Sequence, residues 1–132
     1  MLSLFLLNPK HMTDNIVVLN TCETEADAER LARALIEARL AACVSVVPGL
    51  RSFYHWQGAL ECNSECLLLI KTSRALFPAL QMEIEKLHSY AVPELLALPV
   101  VAGAENYLNW LHSGLRIEEA AAPVAAPEAP AE

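Results

Sequence analysis

Only four glycines occur in 132 residues, so the chain has little material for a loop that cradles phosphate. No G-x-S-x-G elbow and no H-E-x-x-H helix is present, which removes the common signatures of hydrolases and zinc peptidases. Bases are scarce as well. Nine Lys and Arg face sixteen Asp and Glu, for a net charge of −7. Four of those acids (Glu118, Glu119, Glu128, Glu132) stand in the last fifteen residues, and the rest of the chain carries about −3. Without a basic patch there is nothing to track a phosphate backbone, which excludes nucleic acid as a partner. No stretch reaches the roughly 20 apolar residues of a membrane helix. The four cysteines (Cys22, Cys43, Cys62, Cys66) include no CxxC pair. A chain that is 55% hydrophobic does not need disulfide staples, so reduced thiols are expected.

What is present fits one domain with one core. Ile16-Val17-Val18-Leu19 reads as a buried strand. Thr24-Glu25-Ala26-Asp27 has the form of a capping box, and Ala28, Leu31, Ala32, Leu35 and Ile36 follow at helical spacing. Arg39 lies near the end of that helix, where its dipole favours a cation. Residues 41–54 form a long extended segment, with Pro48-Gly49 as a bulge and not a reversal. The reversal falls at Gln57-Gly58. The returning strand, about residues 60–72, is apolar on both faces through Cys66-Leu67-Leu68-Leu69-Ile70, so it belongs in the middle of a sheet.

Ser73 is the expected cap of a second helix, with Phe77, Leu80, Ile84 and Leu87 on its apolar face. Pro93 and Pro99 confine the strand between them to an edge. A last short helix carries Tyr107, Leu108, Trp110 and Leu111. The order predicts an α+β, ferredoxin-like split βαβ fold: βαββαβ plus a short C-terminal helix, with an antiparallel sheet and a long β2–β3 hairpin. Residues 15–115 form that domain. Residues 1–14 are read as a structureless extension, with Met12 an alternative start, and residues 116–132 as a disordered Ala/Pro/Glu tail. The apolar segment Met1–Leu7 lacks the basic flank of an export signal, so the expected location is cytoplasmic.

Candidate chemistry is sparse. Cys62 and Cys66 are four apart on one strand, too far for a shared ion, and read as surface to half-buried thiols. Cys22 closes the first strand beside a helix start. His88 ends a helix just ahead of Ser89-Tyr90 and Glu94, where an imidazole serves as a cap or a ligand. His55 sits idle near the hairpin tip. Tyr54 and Trp56, beside the turn, fit contact with another subunit, whereas Trp110 fits ordinary core equally well. More apolar strand surface is present than a monomer can hide, which points to self-association.

Six stretches in order carry a family resemblance. They are Leu40-Ala41-Ala42-Cys43-Val44, Val47-Pro48-Gly49, Ser52-Phe53-Tyr54-His55-Trp56-Gln57-Gly58, Ile70-Lys71-Thr72, His88-Ser89-Tyr90 with Pro93-Glu94, and Tyr107-Leu108-Asn109-Trp110. Together they resemble the CutA family of divalent-cation tolerance proteins. The resemblance implies a ferredoxin-like homotrimer, linked to tolerance of copper and other divalent metals, with no established catalysis and hence no enzyme. It also implies a copper site built from a Cys at the end of the first strand and one or two His beside a Tyr. Here Asn20 stands at that strand position with Cys22 two residues later, and Leu87 stands where a second His can occur. His88 and Cys22 are therefore the metal residues it implies, with copper or another divalent cation as the bound ion. The motif His-Pro-Tyr is His88-Ser89-Tyr90 in this chain.

Two other functions compete with this one. A PII-like trimeric sensor would bind a small ligand in an inter-subunit cleft lined by Trp56, Glu65, Lys71 and Tyr107, a reading that rests on fold alone. A small hydrolase or isomerase would use His88 and Glu94 as acid and base.

Overall fold

The computed structural model describes residues 13–117. Strand β1 (Asn15–Cys22) leads into helix α1 (Glu25–Glu37), then strands β2 (Cys43–Trp56) and β3 (Ala59–Ser73) form the hairpin. A 3-10 turn at Arg74–Leu76 runs directly into α2 (Phe77–Leu87), followed by β4 (Leu96–Pro99) and α3 (Glu105–Ser113). The sheet order is β2-β3-β1-β4, antiparallel throughout, as the split βαβ order requires. No helix among the described residues is long and apolar enough to cross a membrane. The expected tail beyond Ile117 and the expected extension before Thr13 lie outside the described residues. Thr13 and Asp14 are engaged: Thr13 Oγ1 donates to Val100 O at 2.6 Å, and Asp14 O accepts from Arg74 N.

Local chemistry explains the elements. Thr24 caps α1 by accepting from Asp27 N at 3.1 Å. At the other end, Arg39 N donates to Ile36 O and Leu40 N to Leu35 O, which is a Schellman closure. Arg39 itself takes φ +57, a left-handed conformation usually left to glycine. It lies beyond the helix, and the last turn of α1 holds no base. Ser73 makes no side-chain cap bond, contrary to expectation. The 3-10 turn lets the chain enter α2 through Pro78 instead, where a missing N–H costs nothing. The ladder slips between Val47 and Leu50, so Pro48-Gly49 is the bulge. The two-residue reversal has positive φ at both Gln57 and Gly58, the turn whose twist suits a hairpin.

The sheet has two unlike faces. Ile16, Val18, Asn20 and Cys22 on β1 point inward with their partners Thr72, Ile70, Leu68 and Cys66 on β3. They pack beneath Leu31 and Leu35 of α1 and Leu80 and Ile84 of α2, and together these side chains are the core. On the opposite face Leu19, Leu67 and Leu69 are half-buried, and Val47, Leu96 and Leu98 are exposed. Beyond Cys22 the hairpin continues without β1, and Phe53, Trp56 and Leu60 on it are exposed.

Candidate functional site

The inward face of β1 ends at Cys22, and α2 ends at Leu87, next to it in space. His88 leaves the helix with extended backbone (φ −74, ψ 147), which turns its ring back over the end of β1. His88 Nε2 reaches Thr21 O at 2.8 Å and stands 3.7 Å from Cys22 Sγ. Nδ1 accepts from Tyr90 N at 3.0 Å. Because that nitrogen accepts, the ring proton lies on Nε2, which donates to Thr21 O. The Cys22 thiol donates to Asn20 Oδ1 at 3.6 Å, and Asn20 Nδ2 donates to Glu94 O at 2.8 Å. Asn20 thus holds the 94 loop against β1.

Electrostatics here favour neutral groups. Burial, followed by the Asp27 carboxylate, pushes the Cys22 thiol up from 9.0 to about 11. The Tyr90 phenol is also pushed up, by burial first and then by its 2.6 Å bond to Glu65 Oε2, since a phenolate there would face a carboxylate. Ser52 Oγ donates to the other Glu65 oxygen at 2.7 Å. The rings of His88 and Tyr90 are 4.9 Å apart. A continuous series of polar contacts therefore runs from Cys22 through His88, Tyr90 and Glu65 to Ser52, tying the end of β1 to the base of the hairpin.

Cys22 and His88, the metal residues that the resemblance implies, are in contact. The join of Tyr90 to Glu65 has no signal in the sequence, because 25 residues separate the two. Cys66, expected at the surface or half-buried, is instead buried beside Cys22, while Cys62 is exposed. Trp110 is exposed rather than core, stacked on Tyr107 with centroids 5.6 Å apart. His55, paired with Leu60 near the tip, is exposed as expected.

Trp56, Glu65, Lys71 and Tyr107 do not share a pocket within the chain. Glu65 and Lys71 lie six residues apart along β3, roughly 20 Å. Lys71 Nζ donates instead to Ser45 Oγ at 3.2 Å and Cys43 Sγ at 3.8 Å. Glu94 meets the site through its backbone oxygen, and its side chain is exposed. With both ring nitrogens of His88 already bonded, no acid–base pair with Glu94 is assembled.

As a metal site the arrangement supplies two donors, one thiol and one imidazole. No group of three or more His, Cys, Asp or Glu able to hold an ion occurs among the described residues. Two such donors suit a soft ion such as Cu(I) better than a divalent ion, which takes more ligands from protein. Both donor atoms carry protons here. Freeing Nε2 moves its proton to Nδ1, and Nδ1 then no longer accepts from Tyr90 N, so an ion taken at this pair must also rearrange the 88–90 turn.

The sequence model of the CutA1 divalent ion tolerance proteins matches residues 16–114. A divalent-cation tolerance protein CutA of Thermus thermophilus is 50% identical over 95 residues, covering 72% of this chain and 92% of that protein. One of the same name from Pectobacterium atrosepticum is 44% identical over 110 residues, covering 83% of this chain and all of the other. Among solved structures, CutA1 of Oryza sativa superposes with a TM-score of 0.79 at 40% identity, over 82% of this chain and 99% of that one.

Proposed function

Because the chain belongs to the CutA1 family of divalent ion tolerance proteins, we propose that it acts in metal tolerance as a non-catalytic, metal-responsive homotrimer that takes copper at Cys22 and His88. The observation that carries the assignment of the site is the 3.7 Å approach of Cys22 Sγ to His88 Nε2, between residues 66 apart in sequence. A thiol and an imidazole side by side are the donors soft copper favours. When bound, copper would supply a soft Lewis-acid centre. The chain's own part is to hold the two donors together and to exclude water with the core around Leu31 and Leu87. Four free thiols, one of them exposed, suit a reducing compartment such as the cytoplasm. Self-association is supported by the apolar outer sheet face around Leu69, Leu96 and Leu98, and by the projecting hairpin.

The test is competition of the reduced protein with a chromogenic chelator for Cu(I). Cys22→Ala and His88→Ala should each weaken binding by about tenfold or more, since loss of a group that merely orients a ligand costs 10–100-fold. His55→Ala should bind as the parent does. Equal affinity in His88→Ala overturns the site. Sedimentation at micromolar concentration should give the mass of three subunits, and a mass of one or two overturns the assembly.

A further inference from the structure

Cys22 and Cys66 are direct partners across the β1–β3 ladder, and both face inward with almost no exposure. Opposed residues of an antiparallel pair have Cα atoms about 4.5–5.5 Å apart, within the roughly 4.4–6.8 Å span of a disulfide. Their Cβ atoms, about 4.5–5.5 Å apart in such a pair, must close slightly to reach bonding geometry. Cys22 is the last residue of β1, so only one flank of the pair is held by the β1–β3 ladder. No other combination is placed this way. Cys62 lies four residues further along β3, about 14 Å away. Cys43 is opposite Lys71, on the outer face of the sheet.

We propose that Cys22 and Cys66 are an oxidisable cross-strand pair, which peroxide closes into a disulfide that withdraws the Cys22 sulfur from His88. The bond itself rests on the strand register alone; the consequence for metal rests on the copper reading above. In the first step one sulfur attacks a peroxide oxygen, the O–O bond breaks, and the departing hydroxide leaves as water with the thiol proton. The attacking sulfur is then a sulfenic acid. In the second step the other sulfur attacks it, the S–S bond forms, and the hydroxyl leaves as water with the second thiol proton. Two thiols lose two electrons, and one hydrogen peroxide becomes two waters. Burial slows the first step to the rate of local opening at the end of β1. A bond that has to draw strands together is of the readily reduced kind, so a dithiol should reverse it. The bond would staple the sheet to the base of the projecting hairpin.

The full-length reduced chain is treated with hydrogen peroxide, alkylated with iodoacetamide in denaturant, digested and read by mass spectrometry. The expected product joins the peptides of Cys22 and Cys66, with Cys43 and Cys62 alkylated. Cys66→Ser should give no such product, and a dithiol should remove it from the parent. Alkylation of both Cys22 and Cys66 after peroxide, or bonding of either to Cys43 or Cys62, overturns the pairing. Cu(I) affinity should fall at least tenfold in the cross-linked chain and return on reduction. Equal affinity before and after oxidation overturns the withdrawal of sulfur. If the cross-link forms and neither state binds copper, the copper reading fails while the redox pair stands.

Discussion

Replacing His88 by alanine does more than remove a ligand atom, because both ring nitrogens are tied to the main chain. Nε2 donates to Thr21 O on a buried residue of β1, and Nδ1 accepts from Tyr90 N. Each bond contributes about 1 kcal/mol net, and a stranded buried carbonyl costs about 1–3 kcal/mol. Water reaches the half-buried Tyr90 more easily than Thr21, so most of the loss falls on the β1 side. A total of about 2 kcal/mol follows, which lowers the melting temperature of a domain of about 100 residues by roughly 8–16 °C. The assay is thermal unfolding followed by circular dichroism, at one fixed protein concentration, with chelator and reductant present. His88→Gln should recover part of the loss, since its amide can still donate to Thr21 O. A nitrogen-15 NMR spectrum of the parent should show the proton of the neutral ring on Nε2. A His88→Ala melting point within about 3 °C of the parent refutes this clamp, as does a proton found on Nδ1. Copper measurements on the variant therefore belong well below its melting point.

Arg39→Gly should raise stability by about 0.5–1 kcal/mol in urea unfolding, because glycine takes the left-handed position at lower cost than arginine. The exposed 3.3 Å bond from Arg39 Nη1 to Gly114 O offsets only a little of that gain. Gly58→Ala at φ +83 in the hairpin turn should cost about 1 kcal/mol in the same measurement. The protein should also lose stability in alkali. The folded pKa of Cys22, about 11, lies above its unfolded value of 9.0, so its contribution is full below about pH 9 and is lost as pH rises through about 11. Tyr90 has the same sign from its ordinary 10.0 upward, so Tyr90→Phe should flatten the alkaline fall, and an equally steep fall in that variant counts against the assignment.

Much of the fold was legible because its signals are local. A capping threonine, a helical stripe from Ala28 to Leu35, two prolines around β4, and Gln57-Gly58 at the turn each act within a few residues. Six family stretches in the right order carried the family, and the resemblance made His88 and Cys22 the expected metal residues. Other features depend on distant partners. Ser73 carries a capping side chain, yet the chain enters α2 through a 3-10 turn, because the packing of Leu76 and Phe77 sets that entry. Trp110 was ambiguous in sequence, since helical spacing does not say which flank of a short helix meets the sheet. Strand register alone decided that Cys66 faces Cys22 and not Cys62, and a shift of one residue would have turned it to the outer face. The composition and short-range pattern of this chain determined its elements, their order and its family. The tertiary structure decided which side chains meet across 25 to 66 residues of sequence, because those contacts follow from strand pairing and helix docking, which no local signal encodes.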